Sequence, residues 1–226
     1  MGNLYIVATP IGNLQDISKR AIETLKAANA ILCEDTRRTG ILLKSLGIEF
    51  KKLVSYYEEN EIQRIPQVIS FLKEGGSIAL VSDAGTPTIS DPGFKLVREC
   101  IKEGIKVESI PGPSSVISAL VVSGLPTDKF LFVGYPPQKP GHREKFYRSI
   151  ESVSKILKQT VIMFEAPHKL LKTLEELKGI FGDMEIVIER ELTKIHEELR
   201  REKISESIQH FKRIAPKGEF VILFHL

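Results

Sequence analysis

The residues with the clearest chemical potential lie in one loop, residues 82–94, which carries two aspartates, two glycines and two prolines among thirteen positions. Glycine lets a ligand approach the backbone, proline stiffens the chain, and a carboxylate accepts hydrogen bonds from hydroxyl or amino groups. Asp91, followed by Pro92, is expected to cap the next helix. The stretch from Asp83 to Pro87 then has no obvious structural role, although an ordinary aspartate-rich turn remains the alternative.

The elements around this loop place it at the edge of a sheet. An apolar run at residues 77–81 predicts a buried strand before the loop, and apolar residues at helical spacing after it predict a helix. Ligands bind at the carboxyl ends of strands in open α/β sheets. Three other loops, at residues 9–13, 34–37 and 111–115, also follow predicted strands and carry small, stiff or acidic residues. We expect all four loops to meet at one edge.

The chemistry of such an edge favours one class of ligand. A pocket walled by small residues with one or two carboxylates suits a neutral or cationic ligand with an adenosine and an amino group. It suits a triphosphate poorly, and the sequence contains neither a Gly-x-Gly-x-x-Gly fingerprint nor a Walker A loop. Simple turn chemistry is the competing explanation.

The first half of the chain alternates strand and helix five times, with strands predicted at 3–8, 30–33, around 53–54, 77–81 and 106–110. This pattern predicts a mostly parallel sheet with helices on both faces. Asp16 or Ser18 is expected to cap the first helix. The helix predicted at 116–122 is apolar on nearly every side, so we expect it to be buried between two halves of the chain.

After residue 127 the pattern changes to that of a mixed α+β domain. Strands are predicted at 130–133, 160–164, 185–189 and 219–225, with a helix at 170–181. Residues 135–143 are expected to form a long basic loop. The charged residues 194–202 are expected to form a strand with one solvent-exposed face. The sequence thus predicts an α/β protein with domains at 1–113 and 114–226.

Composition narrows the class of protein without defining it. The 226 residues are 42% hydrophobic and 27% charged, with a net charge of +3, which is compatible with nucleic acid but does not require it. Cys33 and Cys100 lie inside apolar runs, so we expect buried thiols in a reducing compartment rather than a disulfide or a metal site. No membrane span or signal peptide is apparent, and a cytoplasmic protein is expected.

Several further residues admit two interpretations. Arg37 could form an ion pair at a helix start or meet a substrate phosphate. His168 could be a surface or capping residue, or a general base. Tyr56 and Tyr57 could belong to the core or stack on a base. The loop at 139–143 could be solvated or could contact phosphates.

Five motifs in order along the chain carry a resemblance to a known family. They are Ala8-Thr9-Pro10-Ile11-Gly12-Asn13-Leu14, Glu34-Asp35-Thr36-Arg37, Ser82-Asp83-Ala84-Gly85-Thr86-Pro87 with Ser90-Asp91-Pro92-Gly93, Pro111-Gly112-Pro113-Ser114, and Phe164-Glu165-Ala166-Pro167-His168. Over essentially its whole length the sequence resembles the 16S ribosomal RNA cytidine 2'-O-methyltransferases of the tetrapyrrole methylase superfamily. The resemblance implies a two-domain fold with S-adenosylmethionine in the cleft between the domains, and no metal. It also implies a homodimer that acts on a cytidine in the decoding region of the small ribosomal subunit.

The resemblance also implies roles for individual residues. The cofactor, which leaves as S-adenosylhomocysteine, is expected to contact Pro10, Gly12, Asp83, Ala84, Gly85, Thr86, Pro87, Ile89, Pro111, Ser114, Ser115, Phe164, Glu165, Ala166, Leu192, Lys217 and Gly218. Candidates for the base or cation that helps the ribose hydroxyl lose its proton are Asp35, Arg37, Glu165, His168 and Lys194.

Relatives carry histidines where this sequence has Tyr57 and Glu59, so no histidine base can be transferred to that segment.

Two alternative functions stay open. A methylase acting on a tetrapyrrole is the first alternative, although its branch usually has a glycine-rich, acid-ended first loop, unlike residues 9–13. A non-catalytic RNA-binding module is the second.

Overall fold

The computed structural model describes residues 1–49 and 51–226, with the side chain of Pro140 left out. The chain divides into two compact units, Met1–Ser114 and Ser115–Leu226. This division falls one residue after the expected boundary.

The first unit is built on a five-stranded sheet with the strand order β3-β2-β4-β1-β5, and every neighbouring pair is parallel. Its elements are β1 (Asn3–Val7), α1 (Lys19–Ala27), β2 (Ala30–Cys33), α2 (Thr36–Ser45), β3 (Lys52–Ser55), α3 (Glu61–Lys73), β4 (Ile78–Leu80), α4 (Phe94–Lys102) and β5 (Lys106–Ile110).

Helices cover both faces of this sheet, as the continuous apolar strands predict. On one face Leu4 and Leu80 pack with Leu72 of α3 and Leu96 of α4. On the other face the core includes Val7, Ile31 and Val81 from the strands, with Ala21 and Leu25 of α1 and Leu43 of α2. Both cysteines are buried free thiols. The predicted parallel α/β layer is confirmed.

The second unit has a mixed sheet with the order β6-β7-β10-β8-β9, in which β6 and β7 are parallel and the other neighbours antiparallel. Its elements are α5 (Ser115–Ser123), β6 (Phe130–Phe132), α6 (Pro140–Ile156), β7 (Thr160–Glu165), α7 (Leu170–Phe181), β8 (Glu185–Arg190), β9 (Glu198–Lys203), α8 (Ile204–Arg213) and β10 (Phe220–His225). Side chains of α6, α7 and α8 pack with one face of this sheet in a single core.

Two local predictions are wrong. Asp91 does not cap α4, because Gly93 occupies the N-cap position and no side chain caps the helix there. The helix α5 is not buried on every side, since Ile117, Val121 and Val122 are 46%, 66% and 44% exposed. For Tyr56 the core interpretation is correct, because its side chain is fully buried.

Two element boundaries also differ from expectation. The basic loop ends at Lys139 because α6 begins at Pro140, which places Arg143 in a helix rather than in a solvated arm. The charged strand begins only at Glu198, after a series of turns.

At the start of α1, Ser18 rather than Asp16 is the cap, with its hydroxyl accepting from the Ala21 amide at 3.1 Å. Across the described residues, no helix has the length and apolar character needed to span a membrane.

Candidate functional site

The loops that follow β1, β2, β4 and β5 lie together at the carboxyl edge of the first sheet, as expected for parallel strands. The loop after β4 is paired directly with the loop after β1. The Thr9 amide donates to the Gly85 carbonyl at 2.9 Å, and the Gly85 amide donates back to the Thr9 carbonyl at 3.0 Å. These reciprocal bonds join two motifs through residues that are 76 positions apart in sequence.

The loop after β5 joins the same group. The Thr86 hydroxyl donates to the Pro113 carbonyl at 3.0 Å. Gly112 lies so close to the loop after β1 that an added Cβ would stand 3.0 Å from the Cβ of Ala8. Such close backbone approach explains why a glycine occupies this position.

Asp83 connects the loop after β4 to the loop after β2. Its Oδ1 accepts from the Asp35 amide at 3.2 Å, and its Oδ2 pairs with Arg38 at 3.2 Å. Asp35 caps α2 by accepting from the Arg37 amide at 2.8 Å, and it pairs with the Arg37 guanidinium. The ion-pair interpretation of Arg37 is therefore correct, and the Arg37 side chain is also 87% exposed.

A buried carboxylate that the sequence analysis missed supports the far end of the loop after β4. Glu61, only 3% exposed, accepts from the Tyr56 hydroxyl and from the Gly93 amide, each at 3.0 Å, and pairs with Lys95 at 3.0 Å. Burial opposes the charged form, but these three partners outweigh it and lower the Glu61 pKa. An acidic residue in the first turn of a helix was the available sequence signal.

The backbone of this loop is strained. Thr88 and Ser90 adopt positive φ angles of 75° and 62°, which residues other than glycine rarely adopt. In the second unit, Glu191 and Thr193 show the same feature, with φ angles of 53° and 63°. Strained residues of this kind concentrate at functional sites, and here they flank two expected cofactor residues, Ile89 and Leu192.

Carboxylates dominate the electrostatics of the first-unit edge. Burial, together with the nearby charges of Asp91 and Asp83, raises the pKa of Glu34 to about 7. Burial also raises the pKa of Asp91, with a further contribution from Asp83. Within the described part of the chain, Oε1 of Glu34 is buried and has no hydrogen-bond partner.

These features fit the cofactor that the resemblance implies. An acidic edge with an unsatisfied acceptor at Glu34 suits hydroxyl and ammonium donors and a sulfonium cation, whereas it would repel a triphosphate. Ala84 and Ile89 are exposed beside it and offer apolar contact. The described residues include no group of three His, Cys, Asp or Glu side chains that could hold a metal ion.

The expected second-unit residues also meet at one edge, because strand pairing aligns the end of β7, the start of β10 and the end of β8. Phe164 and Glu165 are the last residues of β7, and Ala166 follows them. Both Glu165 oxygens are engaged: one accepts from the Ala166 amide at 2.8 Å, and the other accepts from the Thr173 hydroxyl. Glu165 is 3% exposed, so its contacts are those of a structural carboxylate.

Arg143 organises this edge from within. Its guanidinium, 2% exposed, donates to Glu176 at 2.7 Å, Tyr147 at 2.9 Å, Thr173 at 2.6 Å and the Pro137 carbonyl at 3.2 Å. It also lies 3.6 Å from Glu165. The possible phosphate role of Arg143 is therefore wrong, because its donors are used inside the protein.

Lys194 is held by two carboxylates. Its ammonium donates to Glu191 at 2.9 Å and to Glu219 at 3.0 Å. Although burial acts in the opposite direction, these partners raise the Lys194 pKa, so the side chain remains a cation at neutral pH. Gly218 (φ +92°) lies against Glu191, whose side chain would meet an added Cβ at 2.6 Å.

The remaining expected residues occupy defined positions. Pro10, Gly85 and Pro87 are buried, and Gly12 and Pro111 are exposed. Ser114 ends the first unit and Ser115 begins α5. The Lys217 carbonyl accepts from Arg190 at 2.7 Å, and His168 is exposed in a short 3-10 helix before α7.

The fold defines the class of protein. It matches solved structures titled diphthine synthase (TM-score 0.71, 18% identity, covering 98% of this chain and 89% of that one) and cobalt precorrin-4 methyltransferase (TM-score 0.71, 16% identity, 98% and 94%). Residues 3–207 match the family model described as tetrapyrrole (corrin/porphyrin) methylases.

Sequence relatives narrow the class to one family. The chain is 47% identical over 223 residues to ribosomal RNA small subunit methyltransferase I of Thermotoga maritima, covering 99% of this chain and 98% of the relative. It is 49% identical over 221 residues to the protein of that name from Hydrogenobaculum sp., covering 97% and 94%. The chain belongs to the ribosomal RNA small subunit methyltransferase I family of tetrapyrrole methylases, and it is a methyltransferase.

Proposed function

We propose that the protein transfers a methyl group from S-adenosylmethionine to the 2'-oxygen of a cytidine ribose in 16S ribosomal RNA, within the decoding region of the small subunit. The observation that carries the proposal is near full-length identity of 47% to a relative named for small-subunit ribosomal RNA methylation. Hydrogen bonds through Asp83, Gly85 and Thr86 join the four motif loops, and this convergence supports the proposal independently.

The first-unit edge is the proposed cofactor site. The cofactor supplies a methyl group on a carbon that is already electrophilic. The protein must therefore position the acceptor oxygen and exclude water rather than activate the donor. Peptide groups of the loops after β1, β4 and β5 are held by mutual hydrogen bonds, which preorganises them. Carboxylates at Glu34 and Asp83 favour hydroxyl and cationic groups.

Among the five candidates for proton transfer, we assign the base to His168, which is exposed in the short 3-10 helix that follows β7. Arg37 and Lys194 are cations, and Glu165 is occupied by internal donors. Hydrogen bonds from Arg37 lower the pKa of Asp35, which makes that carboxylate a weak base. Histidine is the side chain that most often acts as a general base. His168→Ala is expected to lower kcat about 100-fold and to leave the cofactor affinity unchanged. An unchanged kcat would mean that another group acts as the base.

A homodimer is also proposed, formed through the exposed side of α5. Ile117, Val121 and Val122 present apolar surface on a helix without charged residues. A neutral apolar patch matches a second copy of itself better than it matches RNA. Sedimentation velocity is expected to show a dimer that Val121→Lys shifts toward monomer; a monomeric wild type would exclude this interface.

One assay tests the activity. Labelled S-adenosylmethionine is offered with undermethylated small subunits, free 16S RNA or a porphyrinogen. Label in the ribose of a single cytidine supports the proposal. Label in the macrocycle would indicate a tetrapyrrole methylase, and no transfer to any of them would favour a non-catalytic RNA-binding module.

A further inference from the structure

Three aromatic rings cluster where the parallel strands β6 and β7 end. The ring centroid of Phe164 lies 4.9 Å from that of Phe132 and 5.5 Å from that of Tyr135. Phe132 and Phe164 are partly buried, whereas Tyr135 is 57% exposed. The outermost ring therefore rests on an aromatic support and leaves much of its surface to solvent.

The backbone holds this ring in place. Gly134, with φ +65°, makes the turn after β6, and its carbonyl accepts from the Phe164 amide at 3.0 Å. Pro136, the residue that follows Tyr135 in the sequence, is buried. The Pro137 carbonyl is fixed by the buried Arg143 at 3.2 Å. Because the backbone before and after Tyr135 is fixed and its ring packs on Phe164, the side chain loses little conformational entropy when a ligand stacks on it.

Cations accompany the ring. Lys139 lies one helical turn before Arg143, and Lys169 one turn before Thr173, and Arg143 is bonded directly to Thr173 at 2.6 Å. Among the residues described, neither lysine takes part in an ion pair within 4.0 Å, so both can neutralise an external anion. An exposed aromatic ring with unpaired cations nearby is the arrangement that binds single-stranded nucleic acid.

We propose that Tyr135, supported by Phe164, is a stacking platform for an unpaired nucleobase of the RNA substrate, with Lys139 and Lys169 contacting the flanking phosphates. This inference rests on the proposed function and names the part of the second unit that would receive RNA. Tyr135 is proposed to stack on a base of the RNA and not on the adenine of the cofactor. The test distinguishes these two ligands.

The test measures binding of the full-length protein to a fluorescein-labelled single-stranded RNA dodecamer with the cytidine-containing sequence of the decoding region. Tyr135→Ala is expected to weaken binding about 5- to 150-fold, because a stacked base contributes about 1–3 kcal/mol. Tyr135→Phe should bind like wild type, and Tyr135→Leu, which keeps apolar bulk for folding, should resemble Tyr135→Ala. Phe130→Ala is the matched control, since the Phe130 ring is also exposed (44%) but lies at the start of β6 rather than beyond its end.

Two further measurements complete the design. Calorimetry with S-adenosylmethionine should give the same affinity for wild type and Tyr135→Leu. The double variant Lys139→Ala/Lys169→Ala should reduce the salt dependence of RNA binding by about two phosphate contacts.

The proposal would be overturned if Tyr135→Leu bound RNA as tightly as wild type. It would also be overturned if Tyr135→Leu lost affinity for S-adenosylmethionine but not for RNA. Failure of the proposed function would look different. The wild type would then bind the dodecamer through Tyr135 but would not methylate undermethylated subunits.

Discussion

The backbone amide of Asp35 donates to Oδ1 of Asp83 at 3.2 Å, and this bond joins the loops that follow two neighbouring parallel strands. The same carboxylate pairs with Arg38 through its other oxygen. Asp83 thus acts as a connector inside the proposed cofactor site, and its removal would leave the Asp35 amide without its acceptor.

Asp83→Ala is expected to weaken S-adenosylmethionine binding at least tenfold. Hydrogen bonds to a charged group contribute about 1.5–3 kcal/mol, and losing them would release the loop after β2. Isothermal titration calorimetry measures the effect. Asp128→Ala is the control, because Asp128 is exposed and forms its ion pair with the neighbouring Lys129. An affinity equal to that of wild type would argue against the proposed pocket.

Arg37→Ala is expected to impair RNA methylation while sparing cofactor binding. The guanidinium is 87% exposed, so it can reach a substrate phosphate in addition to Asp35. Loss of one phosphate contact should raise the KM for the subunit several-fold and lower its salt dependence by about one unit. Lys19→Ala, at an equally exposed ion pair with Glu23, is the control. Equal loss of RNA methylation and cofactor affinity would refute this division of roles.

Gly93→Ala is expected to destabilise the protein by about 3 kcal/mol. Gly93 has φ +124°, and an added Cβ would stand 2.6 Å from a methyl group of the buried Leu80, so overpacking adds to backbone strain. Gly104→Ala is a matched comparison, because Gly104 also has a positive φ (+69°) but an added Cβ would meet nothing within 4 Å. That variant should lose only about 1 kcal/mol.

Urea denaturation of the two glycine variants separates the contributions. Equal losses would mean that the contact with Leu80 relaxes freely and that strain alone matters. A larger loss for Gly93→Ala should be accompanied by weaker cofactor binding, since Gly93 also donates to Glu61 at the end of the loop.

Glu189 should make stability fall as pH rises toward neutrality. This side chain in β8 is fully buried, and within the described chain neither oxygen has a hydrogen-bond partner. Burial, with a contribution from Glu197 that Arg201 partly offsets, raises its pKa from 4.5 to about 7. The folded state therefore holds the proton more tightly than the unfolded state. The stabilisation is complete below about pH 4.5 and is lost as pH rises to about 7.

The slope from Glu189 approaches about 1.4 kcal/mol per pH unit at most. Glu189→Gln cannot ionise, so its free energy of unfolding should decline less steeply between pH 5 and pH 7, leaving the contribution of Glu34, whose pKa is also raised to about 7. Glu185→Gln, at the exposed start of the same strand, should keep the wild-type profile. Identical pH profiles for wild type and Glu189→Gln would show that another group titrates in this range.

Much of the first unit follows from local sequence. Uninterrupted apolar strands such as Ala30–Cys33 can be satisfied only when both faces are buried, which requires a parallel sheet with helices on both sides. Parallel strands in turn bring their carboxyl ends to one edge, so the meeting of the loops at Thr9 and Gly85 could be expected from the order of elements alone.

The tertiary structure decided which polar groups are available for function. Arg143 has the same local sequence signal as an exposed basic residue, yet it is buried and donates to acceptors on its own helix and on α7. Asp91 has the signal of a helix cap, but Gly93 occupies that position. Local patterns report chain geometry over a few residues, whereas burial and hydrogen-bond partners depend on segments that are distant in sequence. The sequence therefore determined the architecture and the family, and only the packed chain determined which carboxylates and cations remain free to act.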